Sequence, residues 1–373
     1  MKTKWKVLLP ILGLCLVCHS WAGTSVYDLA GRWNGQLQTG EFKIRMLLRI
    51  TKEADGHVAA KLDVVDQGAR GLPVTALLFN DPDVRLEFDP DAAAFNGTLS
   101  SDRREIKGAI DVQDEGSFLL TFQRAPDVSP PEPPRAYTFA PGETRDVRGY
   151  WKTTLSPDPD EVLRIGLKVG RQPDGTFAVL MDILEEGAKD IPASTVTIAE
   201  RKARFEWQGL RLVFEAELDA QGDKLSGNWR QGEKPITATF ERIQKPLAIL
   251  PENLSLDPNP ASAQDLRGYW GGVVDYQERK SRLVLTIGQA PNGTYAGTLA
   301  NLDLGDQVFP LSLIAVTNAQ VRLELKTPRA VFTGVWTNEG KAIDGKWVRD
   351  GHEVPVRLER TRVPESASKG AAE

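Results

Sequence analysis

Asp28-Leu29-Ala30-Gly31-Arg32-Trp33 returns as Asp146-Val147-Arg148-Gly149-Tyr150-Trp151, and again as Asp265-Leu266-Arg267-Gly268-Tyr269-Trp270. The offsets are 118 and 119 residues, and the landmarks that follow keep them to within a residue. Gly56, Gly175 and Gly293 recur, as do Pro73, Pro192 and Pro310, and Phe95, Phe214 and Phe332. Each copy closes on a polar residue and an arginine: Gln123-Arg124, Glu241-Arg242, Glu359-Arg360. The chain is therefore a threefold repeat of a unit of about a hundred residues, a domain size rather than a solenoid repeat.

Within a unit the apolar period is two. Ile44, Met46, Leu48 and Ile50 alternate with Lys43, Arg45, Leu47 and Arg49, and Leu163, Ile165, Leu167 and Val169 hold the matching positions in the second copy. Such alternation predicts a strand with one buried face. The Asp-Gly or Asn-Gly pair that follows predicts a type I′ hairpin turn. Eight short strands are expected in the first copy, near 31–38, 42–52, 57–65, 72–79, 83–89, 94–100, 104–112 and 117–124. The expected fold class is all-β: three tandem small antiparallel barrels or sandwiches, with closure favoured because it removes open edges.

The expected organisation is a signal peptide at 1–22, repeats at 24–124, 146–243 and 265–361, proline-rich linkers at 125–145 and 244–264, and a disordered tail at 362–373. Proline this dense predicts extended, semi-rigid spacers. The leader carries Lys2, Lys4 and Lys6, an apolar stretch from Val7 to Val17, and Ser20-Trp21-Ala22 as a peptidase site. The stretch is shorter than the roughly 20 residues a membrane span needs. The product is expected to be periplasmic or secreted, with no transmembrane segment after cleavage.

Both cysteines, Cys15 and Cys18, lie in the leader, so the expected mature chain has no disulfide and no thiolate ligand or nucleophile. The formal charge is −5 before the leader's three lysines are removed. An acidic export product is a poor partner for nucleic acid or an anionic membrane surface.

Two resemblances attach to these residues. Gly31-x-Trp33 with Arg124, Gly149-x-Trp151 with Arg242, and Gly268-x-Trp270 with Arg360 resemble the first-strand and last-strand signature of the lipocalin-like, or calycin, barrels. That resemblance implies an arginine packed on the indole at one closed end, and the six residues become candidates for a barrel floor. Arg124 shares the parity of Phe118, Leu120 and Phe122, which agrees with an inward direction. The run from Asp28 through Asp66-Gln67-Gly68, Leu72-Pro73-Val74, Phe95-x-Gly97 and Gly108 resembles a small β module that precedes the catalytic domain of secreted bacterial serine hydrolases. Copies two and three depart from it with Glu185-Glu186-Gly187 and Asp303-Leu304-Gly305, and no hydrolase domain follows any copy.

No catalytic centre is legible. There is no Gly-x-Ser-x-Gly nucleophile elbow. Ser366-Ala367-Ser368-Lys369 has the Ser-x-x-Lys spacing, but in the expected tail. His57 and His352 each adjoin a turn glycine and read as solvated. Two separated histidines without cysteine make a poor zinc set. Asp63 with Asp66, or Glu185 with Glu186, could be offered as a glycosidase pair, but carboxylates in a glycine-ended loop more often bond their own backbone. Asp81, Asp83, Asp89 and Asp91 read as a solvated acidic edge without calcium-loop spacing. No cofactor and no metal is expected.

Trp207 and Trp336 occur in single copies, and Ser281 replaces Ile44 and Leu163 on the inward row. These three are the candidates for a ligand contact. The reading that follows is a non-catalytic exported protein acting as an interaction or scaffolding module, with another exported protein as partner. The alternative is a carrier holding a small apolar ligand or a sugar inside a barrel. A remoter alternative is an accessory subunit of a secreted hydrolase.

Overall fold

The computed structural model describes residues 26–362 apart from 41, 55, 90–92, 114–115, 126–137, 140–145, 158–161, 233, 258–263, 277–278, 304, 306, 328 and 350. The leader, Cys15, Cys18, Asp91 and the Ser366–Lys369 spacing lie outside the described residues.

The first unit comprises β1 (Gly31–Thr39), β2 (Phe42–Lys52), β3 (Val58–Val64), β4 (Ala69–Pro73), β5 (Ala76–Asn80), β6 (Asp83–Asp89), β7 (Ala93–Leu99), β8 (Glu105–Val112) and β9 (Gly116–Arg124). The second repeats it as β10 (Gly149–Leu155), β11 (Leu163–Arg171), β12 (Phe177–Ile183), β13 (Ala188–Pro192), β14 (Thr195–Ala199), β15 (Lys202–Trp207), β16 (Leu212–Leu218), β17 (Lys224–Gln231) and β18 (Pro235–Ile243). The third has eight: β19 (Gly268–Tyr276), β20 (Arg279–Gln289), β21 (Tyr295–Asn301), β22 (Val308–Thr317), β23 (Gln320–Leu325), β24 (Ala330–Thr337), β25 (Ala342–Arg349) and β26 (His352–Thr361).

Every described neighbour pair is antiparallel, and the third sheet is a closed barrel. The other two run β4-β3-β2-β1-β9-β8-β7-β6-β5 and β13-β12-β11-β10-β18-β17-β16-β15-β14. Each is the same barrel with its fourth strand divided in two, so nine strands stand where eight were expected. The division has a local cause. Val74 N donates to Ala60 O of β3 at 2.9 Å, while the next residue, Thr75 N, donates to Glu87 O of β6 at 2.6 Å. Ala193 and Ser194 make the equivalent switch to Val179 O and Glu206 O. In the third unit β22 stays whole, with a register shift between Leu311 and Leu313. The chain turns the barrel corner within one strand, and the break is the price of curvature.

The turns after β11 and β20 correct an expectation. Gln172 N donates to Thr176 O and Gly175 N donates to Gln172 O. Ala290, Gly293 and Thr294 repeat the pattern. Gly175 has φ +86° and Gly293 φ +86°, whereas neither Asp174 nor Asn292 has positive φ. These are three-residue loops in which a left-handed glycine follows the turn, not two-residue type I′ turns, which need two positive φ values.

Inward residues fill each unit. In the first, Trp33, Leu48, Leu86, Phe95, Ile106, Leu120 and Phe122 are completely buried. In the second, Phe205, Trp207, Phe214, Trp229 and Phe240 form a contiguous aromatic cluster with centroids 5.0–6.4 Å apart. The third core is built round Trp270, Leu285, Leu323, Phe332, Ile343 and Leu358.

The units are packed against one another through a contact that recurs. A Cβ placed on Gly68 of the first unit would fall 2.7 Å from Ile191 Cγ1 of the second. A Cβ on Gly187 would fall 3.0 Å from Val308 O of the third. A Cβ on Gly305 would fall 2.5 Å from Arg70 O of the first. Gly68, Gly187 and Gly305 are repeat equivalents, and the strands they meet, β13, β22 and β4, are equivalents too. A head-to-tail contact that returns to its start after three steps makes a ring with pseudo-threefold symmetry. All three glycines have positive φ, +70°, +63° and +107°, so the position demands glycine for its backbone and for the lack of space.

Several described residues of the two linkers lie against the barrels. Thr138 and Ser255 bridge antiparallel to Arg171 and Gln289 on β11 and β20. Leu247 covers Gly166, and Leu254 and Leu256 cover Gly288. Glycine at 166 and 288 leaves the outer surface of the strand flat enough for the linker to settle on it.

Candidate functional site

The six floor residues come together as three copies of one construction. Arg124 Cζ stands 4.6 Å from the Trp33 ring centroid, Arg242 4.1 Å from Trp151, and Arg360 4.4 Å from Trp270. The cross-strand registers Trp33↔Arg124, Trp151↔Arg242 and Trp270↔Arg360 place each pair directly opposite. Each indole N–H donates to the carbonyl four residues upstream: Leu29 at 2.9 Å, Val147 at 3.0 Å, Leu266 at 2.8 Å. Each guanidinium donates to two carbonyls of the entering segment: Asp28 and Ala30, Asp146 and Arg148, Asp265 and Arg267. The glycine between turns the chain under the arginine, with φ +132° at Gly31, +134° at Gly149 and +109° at Gly268. A Cβ on Gly149 would fall 2.6 Å from Arg242 Nη1.

Burial is the main influence lowering the Arg242 and Arg360 guanidinium pKa values below their ordinary level, with Asp146 and Asp265 respectively opposing it. The groups remain cationic at any working pH. The construction is a lid of charge on an aromatic, with the terminal nitrogens of each guanidinium donating to carbonyls. It closes one end of each barrel.

The acidic residues of the expected loops are engaged as well, and not by their own backbone alone. Asp66 accepts from Arg45 N at 2.7 Å and from its guanidinium. Glu185 accepts from Arg164 N and Nε, both at 2.6 Å. Asp303 accepts from Arg282 N at 2.6 Å and from its guanidinium. These equivalent carboxylates pin the glycine-ended turn onto the second strand of each barrel, and so aim Gly68, Gly187 and Gly305 at the next unit. Asp63 meets Arg49 and Gly71 N. Asp182 meets Lys168 Nζ at 2.8 Å, and Lys168 also meets Asp190 at 2.7 Å. Burial depresses the lysine's pKa, but the two carboxylates outweigh it and the net direction is upward. The arginines are the functional partners that sequence reasoning missed. The signal was present as an arginine 21 residues before each acid.

The remaining candidates separate. Trp207 is 1% exposed and its indole N–H donates to Ile191 O at 3.1 Å, so it is core. Trp336 packs edge-on against the floor Trp270, centroids 5.5 Å apart. Ser281 sits opposite Val274 at the other end of the third barrel. His57 and His352 are exposed at turns. Asp81 receives Arg103 at 3.1 Å. No group of three metal-ligating side chains occurs among the described residues. No described helix is long and apolar enough to cross a membrane. A shallow hollow of about 420 Å³ lies on the outside of the second barrel, lined by Thr197, Lys202, Arg204, Glu215, Glu217 and Ser226. The Arg204–Glu215 ion pair crosses it.

No family model matches the chain, and no curated protein matches it. Among solved structures, a protein of unknown function of the DUF3598 family from Nostoc punctiforme aligns at 12% identity over 57% of this chain and 96% of that one, with a TM-score of 0.18. A putative outer membrane protein from Bacteroides fragilis aligns at 8% identity over 90% and 98%, TM-score 0.20. Transferrin Binding Protein B from Haemophilus parasuis aligns at 10% identity over 88% and 67%, TM-score 0.18. Scores this low carry no functional argument. The class is defined by the fold itself: an all-β chain of three tandem antiparallel barrels, each floored by a Trp–Arg stack.

Proposed function

We propose that this protein is a non-catalytic, exported interaction module, a rigid scaffold that displays the outer faces of three barrels in fixed relation. The ring carries this reading. Three equivalent glycine turns, each pinned by an arginine–carboxylate pair, seat on the next unit with no room for a Cβ. That construction specifies the mutual position of the barrels and uses the loop carboxylates structurally. The leader-like segment and the lack of cysteine beyond it support export. The hollow on the outside of the second barrel, lined by polar and charged side chains, is the candidate face for a partner protein.

A photo-crosslinking residue at Thr197 or Ser226, in the hollow, tests this in the exporting cell. A discrete adduct of defined mass, absent when the label is moved to the exposed Gln36 of the first barrel, is the expected result. Adduct-free protein at both hollow positions would count against a protein partner at this face.

A further inference from the structure

We propose that the end of the third barrel opposite its Trp–Arg floor is a binding site for a small neutral molecule with an apolar body and a hydrogen-bond-accepting oxygen. The repeat supplies its own comparison. In the second barrel that end is filled by Leu155, Ile183, Trp207 and Leu212, exposed by only 4%, 7%, 1% and 2%. The third barrel holds smaller residues at the same four positions: Val274, Asn301, Leu325 and Ala330. Leu163, the partner of Leu155, becomes Ser281, the partner of Val274.

The pairings show that these replacements share one interior face. Trp207↔Leu212 becomes Leu325↔Ala330, and Ile165↔Ile183 becomes Leu283↔Asn301. Cross-strand partners point to the same side of a sheet. Val274 and Asn301 are only partly buried, where Leu155 and Ile183 are buried, and Ser281 is partly buried like Leu163. The substitutions remove side-chain volume from this end, while Leu325 and Ala330 themselves stay buried at 6% and 9%.

One large residue is kept. Trp347 replaces Trp229 in kind and is 7% exposed. In the second barrel the Trp229 ring packs 6.1 Å from the Trp207 ring, and the third barrel offers only Leu325 there. The Trp347 indole N–H is buried and has no acceptor among the described residues. A buried donor without an acceptor carries a desolvation cost that a bound oxygen removes. Trp347, Leu325, Ala330, Leu283 and Val274 belong to one apolar cluster, and beside it Asn301 Oδ1 accepts from Asp303 N at 3.1 Å. The cluster carries no charge, which favours a ketone, ester or alcohol over an ion.

The test uses the whole mature chain and the fluorescent ketone acdan (acetyl-dimethylaminonaphthalene). Saturable binding of one probe per chain with blue-shifted emission is expected. Leu325→Trp and Ala330→Leu each restore a side chain the second barrel holds, and each should weaken binding about tenfold or more while circular dichroism stays unchanged. Trp347→Phe removes the donor along with part of the ring, and should weaken binding by at least about 2- to 10-fold, the net effect of one neutral hydrogen bond. Unsaturable uptake by the wild-type chain would overturn the proposal. So would full affinity in whichever filling variant remains folded, because the probe would then be elsewhere. A photo-crosslinked protein at the outer hollow bears on the scaffold reading and leaves this outcome unaffected.

Discussion

The Arg242 guanidinium sits 4.1 Å from the centre of the Trp151 indole while its two terminal nitrogens donate to the carbonyls of Asp146 and Arg148. The arginine thus ties the last strand of the second barrel to the segment that enters its first. Trp151→Ala should destabilise this barrel by about 3–5 kcal/mol, as for a buried large aromatic. Arg242→Ala should cost less, and the double variant should lose about 1–2 kcal/mol less than the two single effects added. Additive losses in urea melts would show that the two side chains share space without interacting.

Gly149 tests the same construction from the backbone. Alanine there meets a φ of +134° and an Arg242 nitrogen 2.6 Å from its Cβ. Gly232 has φ +91° and nothing within 4 Å. Gly149→Ala should therefore cost more than Gly232→Ala, where only the local strain of about 1–3 kcal/mol applies. Equal costs in thermal melts would mean that the arginine moves aside freely.

Lys168 gives the second barrel an alkaline limit. Its folded pKa is raised above the ordinary 10.5 because Asp182 and Asp190 outweigh the burial that opposes them. A raised pKa means that the ammonium stabilises the fold fully below the unfolded value and that this contribution is lost as pH rises through the folded value. The stability difference between the wild-type chain and Lys168→Met should hold up to about pH 10.5, the unfolded value, and shrink above it as pH rises through the raised folded value. A difference that stays constant through that rise would remove the linkage.

Much of this fold is legible in the sequence because its signals are short-range and repeated. The floor needs a Gly-x-Trp at one end of a unit and an arginine at the other, and three copies in register expose both. The period-two rows locate β2, β11 and β20 for the same reason. What stays hidden depends on geometry between segments. The pairing of Asp66 with Arg45 joins residues 21 apart whose types alone are unremarkable on a strand surface. The division of the fourth strand at Val74 and Thr75 follows from barrel curvature rather than from residue type. The glycine of Asp66-Gln67-Gly68 looks like any turn glycine until Ile191 of the next unit is placed against it. Trp207 stands alone in the sequence only because the other copies hold Phe88 and Leu325 at its position. Its isolation reflects repacking of a core, not a ligand contact.

The pinning carboxylates should matter to neighbours as well as to their own barrels. Asp66→Ala leaves Arg45 N and its guanidinium without their acceptor and frees the turn that carries Gly68. A loss of about 1–3 kcal/mol is expected for such a broken, charge-assisted contact. Limited proteolysis should also find new cleavage in the second unit near Ile191. Cleavage confined to the first unit would show that the turn does not brace its neighbour.

The ring itself is tested most directly by hydrogen exchange, read by mass spectrometry on the whole chain with Gly305→Ala and with Gly293→Ala as control. Both glycines belong to the third unit and both have positive φ, +107° and +86°, but only Gly305 faces another unit, with Arg70 O 2.5 Å from where its Cβ would lie. The closed ring predicts that Gly305→Ala lowers protection of β4, Ala69–Pro73, in the first unit, more than two hundred residues away in sequence, while Gly293→Ala leaves that strand unchanged. Loss of protection restricted to the third unit in both variants would contradict the ring and return the chain to three barrels on a string.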